Sequence, residues 1–256
     1  MTLEPRFTFD RVAALYAHAR AGYPDAVFDN LTALAPPGAK MLEVGCGTGK
    51  ATLGFARRGL DIVALDPGPA MIAEARATVA DFPNVRFVEG IFEAWTPDQT
   101  GFDMIAAAQS WHWIPPELGV AKAAALLKPG GTLAIFGNVW SPISAGLRAA
   151  IDAVYVRDAP ELRESPLEPW YLADGPFPKM IRKSGLFTQP THRAFEWRRS
   201  LSLDGYVDML RTLSNHQGLE PGRLNALLGA VGGVLRAAGE TVDLQYATHV
   251  HVAARR

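Results

Sequence analysis

Residues 40 to 52 read Lys-Met-Leu-Glu-Val-Gly-Cys-Gly-Thr-Gly-Lys-Ala-Thr. A short apolar run, Met41-Leu42-Glu43-Val44, enters three glycines at alternate positions, Gly45, Gly47 and Gly49, and Leu53, Phe55 and Ala56 follow in an apolar helical pattern. This order predicts a buried strand, a tight turn and a helix that begins near Thr48 and runs to about Arg58. Glycine is needed where backbone takes positive φ or comes within contact of a ligand, and three at this spacing predict a loop with no side-chain wall. The free N–H groups and positive dipole end of the helix then point into the gap. Something polar or anionic is expected to bind there.

Three ligand classes use such a loop. A phosphate-binding P-loop wants Gly, four residues, then Gly-Lys-Ser/Thr. Here three residues separate Gly45 from Gly49, and Ala51 follows Lys50, so there is no hydroxyl for magnesium. A dinucleotide fingerprint wants G-x-G-x-x-G, and Lys50 stands where its third glycine belongs. What remains, Glu43-x-Gly45-x-Gly47-x-Gly49, resembles the first motif of class I S-adenosylmethionine-dependent methyltransferases.

Asp66 ends the next apolar run, Leu60 to Asp66, 21 residues beyond Gly45. A carboxylate there can accept from both ribose hydroxyls of a nucleoside lying over the strand ends, although nicotinamide enzymes place an acid similarly. Pro67 and Met71 follow at the start of a helix, and the resemblance implies that this region packs on adenine. Asn84 to Gly90 reads as a third strand. Many methyltransferases carry an aspartate after that glycine; here Ile91-Phe92-Glu93 follow, which implies that the apolar faces of Ile91 and Phe92, with backbone groups, hold the adenine.

The run Phe102 to Gln109 looks like a fourth strand buried on both faces. It leads into Ser110-Trp111-His112-Trp113, two tryptophans flanking a histidine at a strand's C-terminal end, where open α/β sheets place ligands. That composition reads as a pocket wall, with aromatic anchoring of the next helix around a core histidine as the alternative. The Q-x2-H-W pattern is similar to the trans-aconitate methyltransferase branch of the type 11 family. It implies Gln109 as a cofactor contact and His112 as a substrate-facing residue, with Trp111 and Trp113 beside it.

Upstream, Phe9, Val12, Ala13 and Tyr16, then Val27, Phe28, Leu31 and Leu34, mark two helices, with Asp10 placed to cap the first and Pro24 to open the second. Between them lies Tyr16-x3-Arg20-x2-Tyr23-Pro24. By themselves these read as packing aromatics and a solvated charge. In the type 11 branch a similar segment covers the cofactor, which implies that Tyr16 and Arg20 approach its methionine carboxylate, with Tyr23 nearby on the substrate side. An arginine suits that group because its planar fork donates two parallel hydrogen bonds.

After a helix from Glu117 to Leu127, Lys128-Pro-Gly-Gly131 is a helix stop and turn before the strand Thr132 to Asn138. Residues 140–240 then change character: one helix over 144–156, a proline-rich stretch over 157–178, a strand over Phe187–Trp197 and a helix leading to Ser214-Asn-His216. This region is expected to cap the substrate. By resemblance His216 borders the substrate pocket, while the residues alone favour a solvated loop histidine. Residues 241–254 alternate and are expected to form the closing edge strand.

The assembly is a single methyltransferase domain over 1–256, with residues 8–36 covering the cofactor and 39–138 forming the cofactor-binding core. At least five strand–helix alternations give a doubly wound α/β sheet. The resemblance adds a mostly parallel seven-stranded Rossmann-like sheet with a reversed last strand. The implied activity is transfer of a methyl group from S-adenosyl-L-methionine to a small molecule, an oxygen of a carboxylate or hydroxyl. His112 then serves as base for a hydroxyl, or binds and orients a carboxylate as a cation. No second acidic cluster follows the fourth strand, so the reaction is read as metal-free. The rivals are a nicotinamide-dependent oxidoreductase, disfavoured by Lys50 and by the lack of a Tyr-x3-Lys pair, and a non-catalytic S-adenosylmethionine-binding module.

Composition agrees with that class. The 256 residues are 48% hydrophobic and 20% charged, enough to bury a large core. A net charge of −1 offers no footprint for nucleic acid or an acidic membrane. The single cysteine, Cys46, excludes an intrachain disulfide and points to a reducing cytoplasm, and the first ten residues lack the apolar core of a signal peptide.

Overall fold

The computed structural model describes residues 9–142, 144–163, 168–239 and 241–256, so residue 8 of the N-terminal segment and residues 143, 164–167 and 240 of the expected cap lie outside the described residues. Seven strands form one sheet in the order β3-β2-β1-β4-β5-β7-β6. They are β1 (Lys40–Val44), β2 (Asp61–Asp66), β3 (Val85–Glu89), β4 (Phe102–Ala108), β5 (Leu127–Pro142), β6 (Thr191–Ser202) and β7 (Thr241–Ala254). The first five pair in parallel, with Val44 opposite Leu65 and Glu43 opposite both Ala64 and Ala106. Near-continuous apolar runs explain this centre: Ile62 to Leu65 and Met104 to Ala107 are buried throughout, as strands covered on both faces require.

β7 runs antiparallel to β5, since Arg255 exchanges backbone hydrogen bonds with Gly130 and Gly131 while Thr248, seven residues earlier on β7, meets Asn138, seven residues after Gly131 on β5. The expectation for residues 241–254 is corrected in one respect: β7 is an inner strand, and the edge is β6. Val242, Leu244, Tyr246, Val250 and Ala253 on β7 are all buried, whereas Thr191 to Ala194 on β6 are exposed. Charged side chains on an open edge, here Arg193, Glu196 and Arg198, discourage pairing with another sheet. The Lys128-Pro-Gly-Gly131 turn also differs from expectation. Its residues lie within β5 as a register shift between Phe102 and Met104, with Gly130 at φ 78°.

The chain forms two compact units, each assembled from separated segments. The sheet unit comprises residues 22–138, 168–195 and 248–256 and holds a core of Phe28, Phe55, Met41, Ile62, Met104 and Phe136. Helices α2 (Asp25–Thr32), α3 (Lys50–Ala56), α4 (Pro69–Thr78), α5 (Pro116–Leu126) and α7 (Pro176–Ser184) belong to it. The second unit takes residues up to Ala21 with 139–167 and 196–247, and packs α1 (Ala13–Ala19), α6 (Ala145–Asp158), α8 (Leu203–Arg211), α9 (Ser214–Gln217) and α10 (Pro221–Ala238) around Leu210, Leu227, Val231 and Tyr246. The N-terminal segment therefore divides at Ala21, and residues 168–195 of the expected cap return to the sheet unit. Asp10 does not cap α1, because a 3-10 turn over Phe9–Val12 intervenes and Val12 occupies the cap position; Pro24 opens α2 as expected.

Candidate cofactor and acceptor site

The turn from β1 to α3 is built by all three glycines at positive φ: 72° at Gly45, 53° at Gly47 and 81° at Gly49. Their reasons differ. A side chain at Gly45 would collide with Ser110, and one at Gly49 would come within 3.0 Å of the Ala75 Cα, so these two are glycine because protein packs against them. A Cβ at Gly47 would meet nothing within 4 Å. That open position, beside backbone held left-handed, is where a ligand has room to approach. The N–H groups of Gly45 and Cys46 both donate to the Leu65 carbonyl, and that of Gly49 to Cys46, so the turn is tied to β2 rather than offering free donors. Helix α3 itself begins at Lys50, two residues later than expected.

Asp66 is 8% exposed, and its carboxylate accepts from Gly47 N–H at 2.8 Å and from Gly68 N–H at 2.9 Å. One acid thus clamps the glycine turn to the start of α4. Met71 is buried and Pro67 half-buried on that same segment. Across the sheet edge Phe92 is buried, with its ring 5.9 Å from that of Trp111, and Ile91 is half-buried.

Glu43, the penultimate residue of β1, is wholly buried and neither carboxyl oxygen has a hydrogen-bond partner. Burial pushes its pKa up to about 8; the neighbouring Thr52 hydroxyl works against that without closing a hydrogen bond, and the charge of Asp66 adds to it. Glu43 is therefore largely protonated at neutral pH.

The fourth strand exits through a strained residue. Gln109 has φ 55°, the one non-glycine at positive φ among the described residues. Holding such a residue left-handed costs about 1 kcal/mol or more and such positions cluster at functional sites. Its N–H donates to the Phe136 carbonyl at 2.8 Å, and its Oε1 accepts from the Tyr23 hydroxyl at 3.3 Å. Ser110 then donates to the Val44 carbonyl, which joins the ends of β1 and β4. Residues Trp111–Trp113 form one 3-10 turn. Trp111 is only 1% exposed and packs inward against Phe92, so it is part of the core and not of an acceptor wall. His112 and Trp113 are half-buried, with ring centroids 4.6 Å apart.

The Nδ1 of His112 lies 3.1 Å from the hydroxyl of Tyr171, a residue that sequence reasoning did not single out. No local pattern signals it: Tyr171 stands 59 positions away in a proline-rich stretch and reaches the histidine only through the return of residues 168–195 to the sheet. Burial depresses the His112 pKa to about 4, which leaves the imidazole neutral at physiological pH.

Tyr16, Arg20 and His216 belong to the second unit. The Arg20 guanidinium lies 5.4 Å from the centre of the Tyr16 ring. His216 is not the solvated loop residue its neighbours suggest: it is 2% exposed, its Nε2 lies 2.6 Å from the Tyr155 hydroxyl and its Nδ1 lies 2.9 Å from Asn215 Oδ1. The Tyr155 side chain on α6 supplies the partner that makes burial tolerable. Burial, with the Arg20 charge adding to it, holds the His216 pKa at about 4.

These shifts have a measurable sum. His112, His216 and His251 are all depressed to about 4 by burial, so between about pH 6.5 and pH 4 the unfolded chain binds protons that the folded chain does not. Stability from these groups is present above their unfolded pKa and is lost as pH falls. Glu43, raised to about 8, acts oppositely above about pH 4.5. Three histidines outweigh one carboxyl below about pH 6.5, and Glu43 dominates above it. Thermal unfolding of the ligand-free protein is therefore expected to show its maximum near pH 6.5, with the steeper fall on the acid side; a monotonic rise to about pH 8 contradicts the assignment.

The fold is that of class I methyltransferases. A candidate type II methyltransferase from Anaeromyxobacter dehalogenans superposes with a TM-score of 0.64 at 21% identity, covering 91% of this chain and 97% of that one. Phosphoethanolamine N-methyltransferase 2 from Haemonchus contortus, in complex with phosphomonomethylethanolamine and S-adenosylhomocysteine, gives 0.58 at 16% identity over 99% of this chain and 60% of its own. The [4+2]-cyclase SpnF gives 0.56 at 17% identity, covering 96% and 94%. In sequence, residues 41–131 match the family model of the methyltransferase domain. An uncharacterized methyltransferase of Mycobacterium tuberculosis is 35% identical over 134 residues, 52% of each chain. The ubiquinone biosynthesis O-methyltransferase of Xanthomonas campestris pv. campestris is 32% identical over 126 residues, 48% of this chain and 52% of its own. The chain thus spans about half the length of the curated relatives it matches. Fold and domain match together support the resemblance to class I methyltransferases of the type 11 kind.

Proposed function

We propose that this protein is an S-adenosylmethionine-dependent methyltransferase that methylates an oxygen, of a carboxylate or a hydroxyl, on a small molecule. The observation that carries the reading is the turn at Gly45–Gly49, open at Gly47 and clamped by Asp66, in the segment that matches the methyltransferase domain. S-adenosylmethionine, when bound, supplies an activated methyl group on a sulfonium. The residues of the sheet unit fit it: Asp66 would hold the ribose hydroxyls, Pro67, Met71, Ile91 and Phe92 the adenine, and Glu43 and Gln109 the amino-acid end. The chain's own contribution is to orient the nucleophile and exclude water. Tyr23, His112 and Trp113 are the residues of the sheet unit offered to the acceptor. The O-methyltransferase among the relatives supports oxygen as the methylated atom.

The net charge of −1 favours a small-molecule acceptor over nucleic acid or a membrane surface, and among the described residues no helix is long and apolar enough to cross a membrane. A cytoplasmic setting suits the lone, buried Cys46. A second reading, an adenosyl-ligand-binding protein that transfers no methyl group, is favoured by one observation, the shared fold of the cyclase SpnF. Calorimetric titration with S-adenosylmethionine, S-adenosylhomocysteine and NAD(H) is the first test. Binding of both adenosyl ligands and not of NAD(H) is expected; binding of NAD(H) alone would overturn the proposal in favour of an oxidoreductase. Mass-spectrometric detection of a methylated product from an acid and alcohol panel separates transfer from binding alone.

A further inference from the structure

Lys122 lies on α5, the helix that follows the Trp111–Trp113 turn, and among the described residues it forms no ion pair with a carboxylate. A helix lysine ordinarily lays its stem along apolar surface and keeps its ammonium in water. Lys122 is instead half-buried, and burial lowers its pKa while the Glu93 charge acts against that shift. Its Nζ donates to the carbonyls of Glu93, at 3.2 Å, and Trp95, and lies 5.3 Å from the centre of the Phe92 ring. Hydrogen bonds and the face of a ring thus offset the desolvation of the cation. All three partners belong to one short segment after β3.

That segment is a tight turn. The N–H groups of Ala94 and Trp95 both donate to the Ile91 carbonyl, at 3.0 and 2.8 Å, and the Gly90 N–H donates to the Asp66 carbonyl at 2.9 Å. The turn is therefore moored to β2 at its start and, through Lys122, to α5 at its end. Between the two moorings Phe92 is buried, its ring 5.9 Å from that of Trp111. Helix α5 packs on that same tryptophan, since a Cβ at Gly119 would stand 3.2 Å from Trp111 Cζ2. One helix thus braces both the turn after β3 and the turn after β4.

With Ile91-Phe92 after Gly90, recognition of adenine falls to apolar faces and backbone groups. Dispersion is short-ranged, and a gap of ~0.5–1 Å already forfeits a quarter to a half of it. Where the wall stands therefore sets how well adenine is held. We propose that Lys122 is a positioning residue for the nucleoside end of the cofactor, holding residues 91–95 and the Phe92 ring at the distance where adenine packs. The inference rests on the methyltransferase reading, which gives Ile91 and Phe92 to the adenine. Lys122 acts through those residues and is assigned no contact with the reacting atoms.

Calorimetry on the full chain with S-adenosylhomocysteine and 5′-methylthioadenosine, which share the nucleoside and differ at the amino-acid end, tests this. Lys122→Met keeps the stem and removes the charge. It is expected to weaken both ligands by the same factor, roughly tenfold, the worth of one hydrogen bond from a charged donor. Lys122→Arg keeps a cation with N–H donors and is expected to recover most of that loss. Equal affinities in wild type and Lys122→Met, as a merely structural lysine would give, overturn the positioning role. So does a loss confined to S-adenosylhomocysteine, or no recovery in Lys122→Arg. Lys122→Gln, uncharged and shorter, takes the place of Lys122→Met should the latter fail to fold. In turnover assays Lys122→Met should raise KM for S-adenosylmethionine with kcat unchanged, because the wall is the same in ground and transition states. A fall in kcat at unchanged KM contradicts the assignment. Failure of the underlying methyltransferase reading shows separately, as absence of adenosyl-ligand binding to the wild type, and overturns both.

Discussion

Asp66→Ala is expected to weaken S-adenosylmethionine binding about 100-fold, the loss of two hydrogen bonds to a charged acceptor at about 1.5–3 kcal/mol each, partly offset by water. The effect has two sources. The carboxylate would no longer accept from the ribose hydroxyls, and the N–H groups of Gly47 and Gly68 would lose the partner that holds the turn in shape. Asp66→Asn keeps one acceptor oxygen and should fall between wild type and alanine. Calorimetry on the three proteins checks the order; equal affinities would remove Asp66 from the site.

The second large effect belongs to stability. Gly45→Ala places a Cβ at φ 72° and drives it into the Ser110 side chain, which is itself fastened to the Val44 carbonyl. Backbone strain and overpacking together should cost about 2–4 kcal/mol, or roughly 5–15 °C in melting temperature. Ser110→Gly removes the atom struck. In the double variant the steric part should be recovered while the φ strain persists, giving a coupling energy of about 1–2 kcal/mol in a double-mutant cycle. Independent, additive losses would show that the two chain exits do not compete for the same space.

The features legible in the sequence were those carried by local pattern. Strands β1 to β4 announce themselves as apolar runs, and Gly45, Gly47 and Gly49 demand a left-handed turn wherever they fall. Their separate reasons were not legible, because Ser110 and Ala75 reach Gly45 and Gly49 only through the tertiary fold. The edge position was misassigned for a related cause: alternation is the same on an inner and an outer strand, and the charges of β6 were the available signal. Trp111 and His216 look like surface or pocket residues until Phe92 and Tyr155 are placed beside them. Tyr171 depends on a chain return that no motif encodes.

The strand order bears on how the protein is made. β7 follows β6 in the chain, yet it sits between β5 and β6, so β5 keeps an open hydrogen-bonding edge until β7 has been made. β6, made earlier, has no sheet to join until then. Five strands paired without β7 leave an apolar flank with free hydrogen-bonding groups, the kind of edge that favours aggregation or chaperone binding. Pairing between distant segments also raises contact order, which places this chain among slow folders.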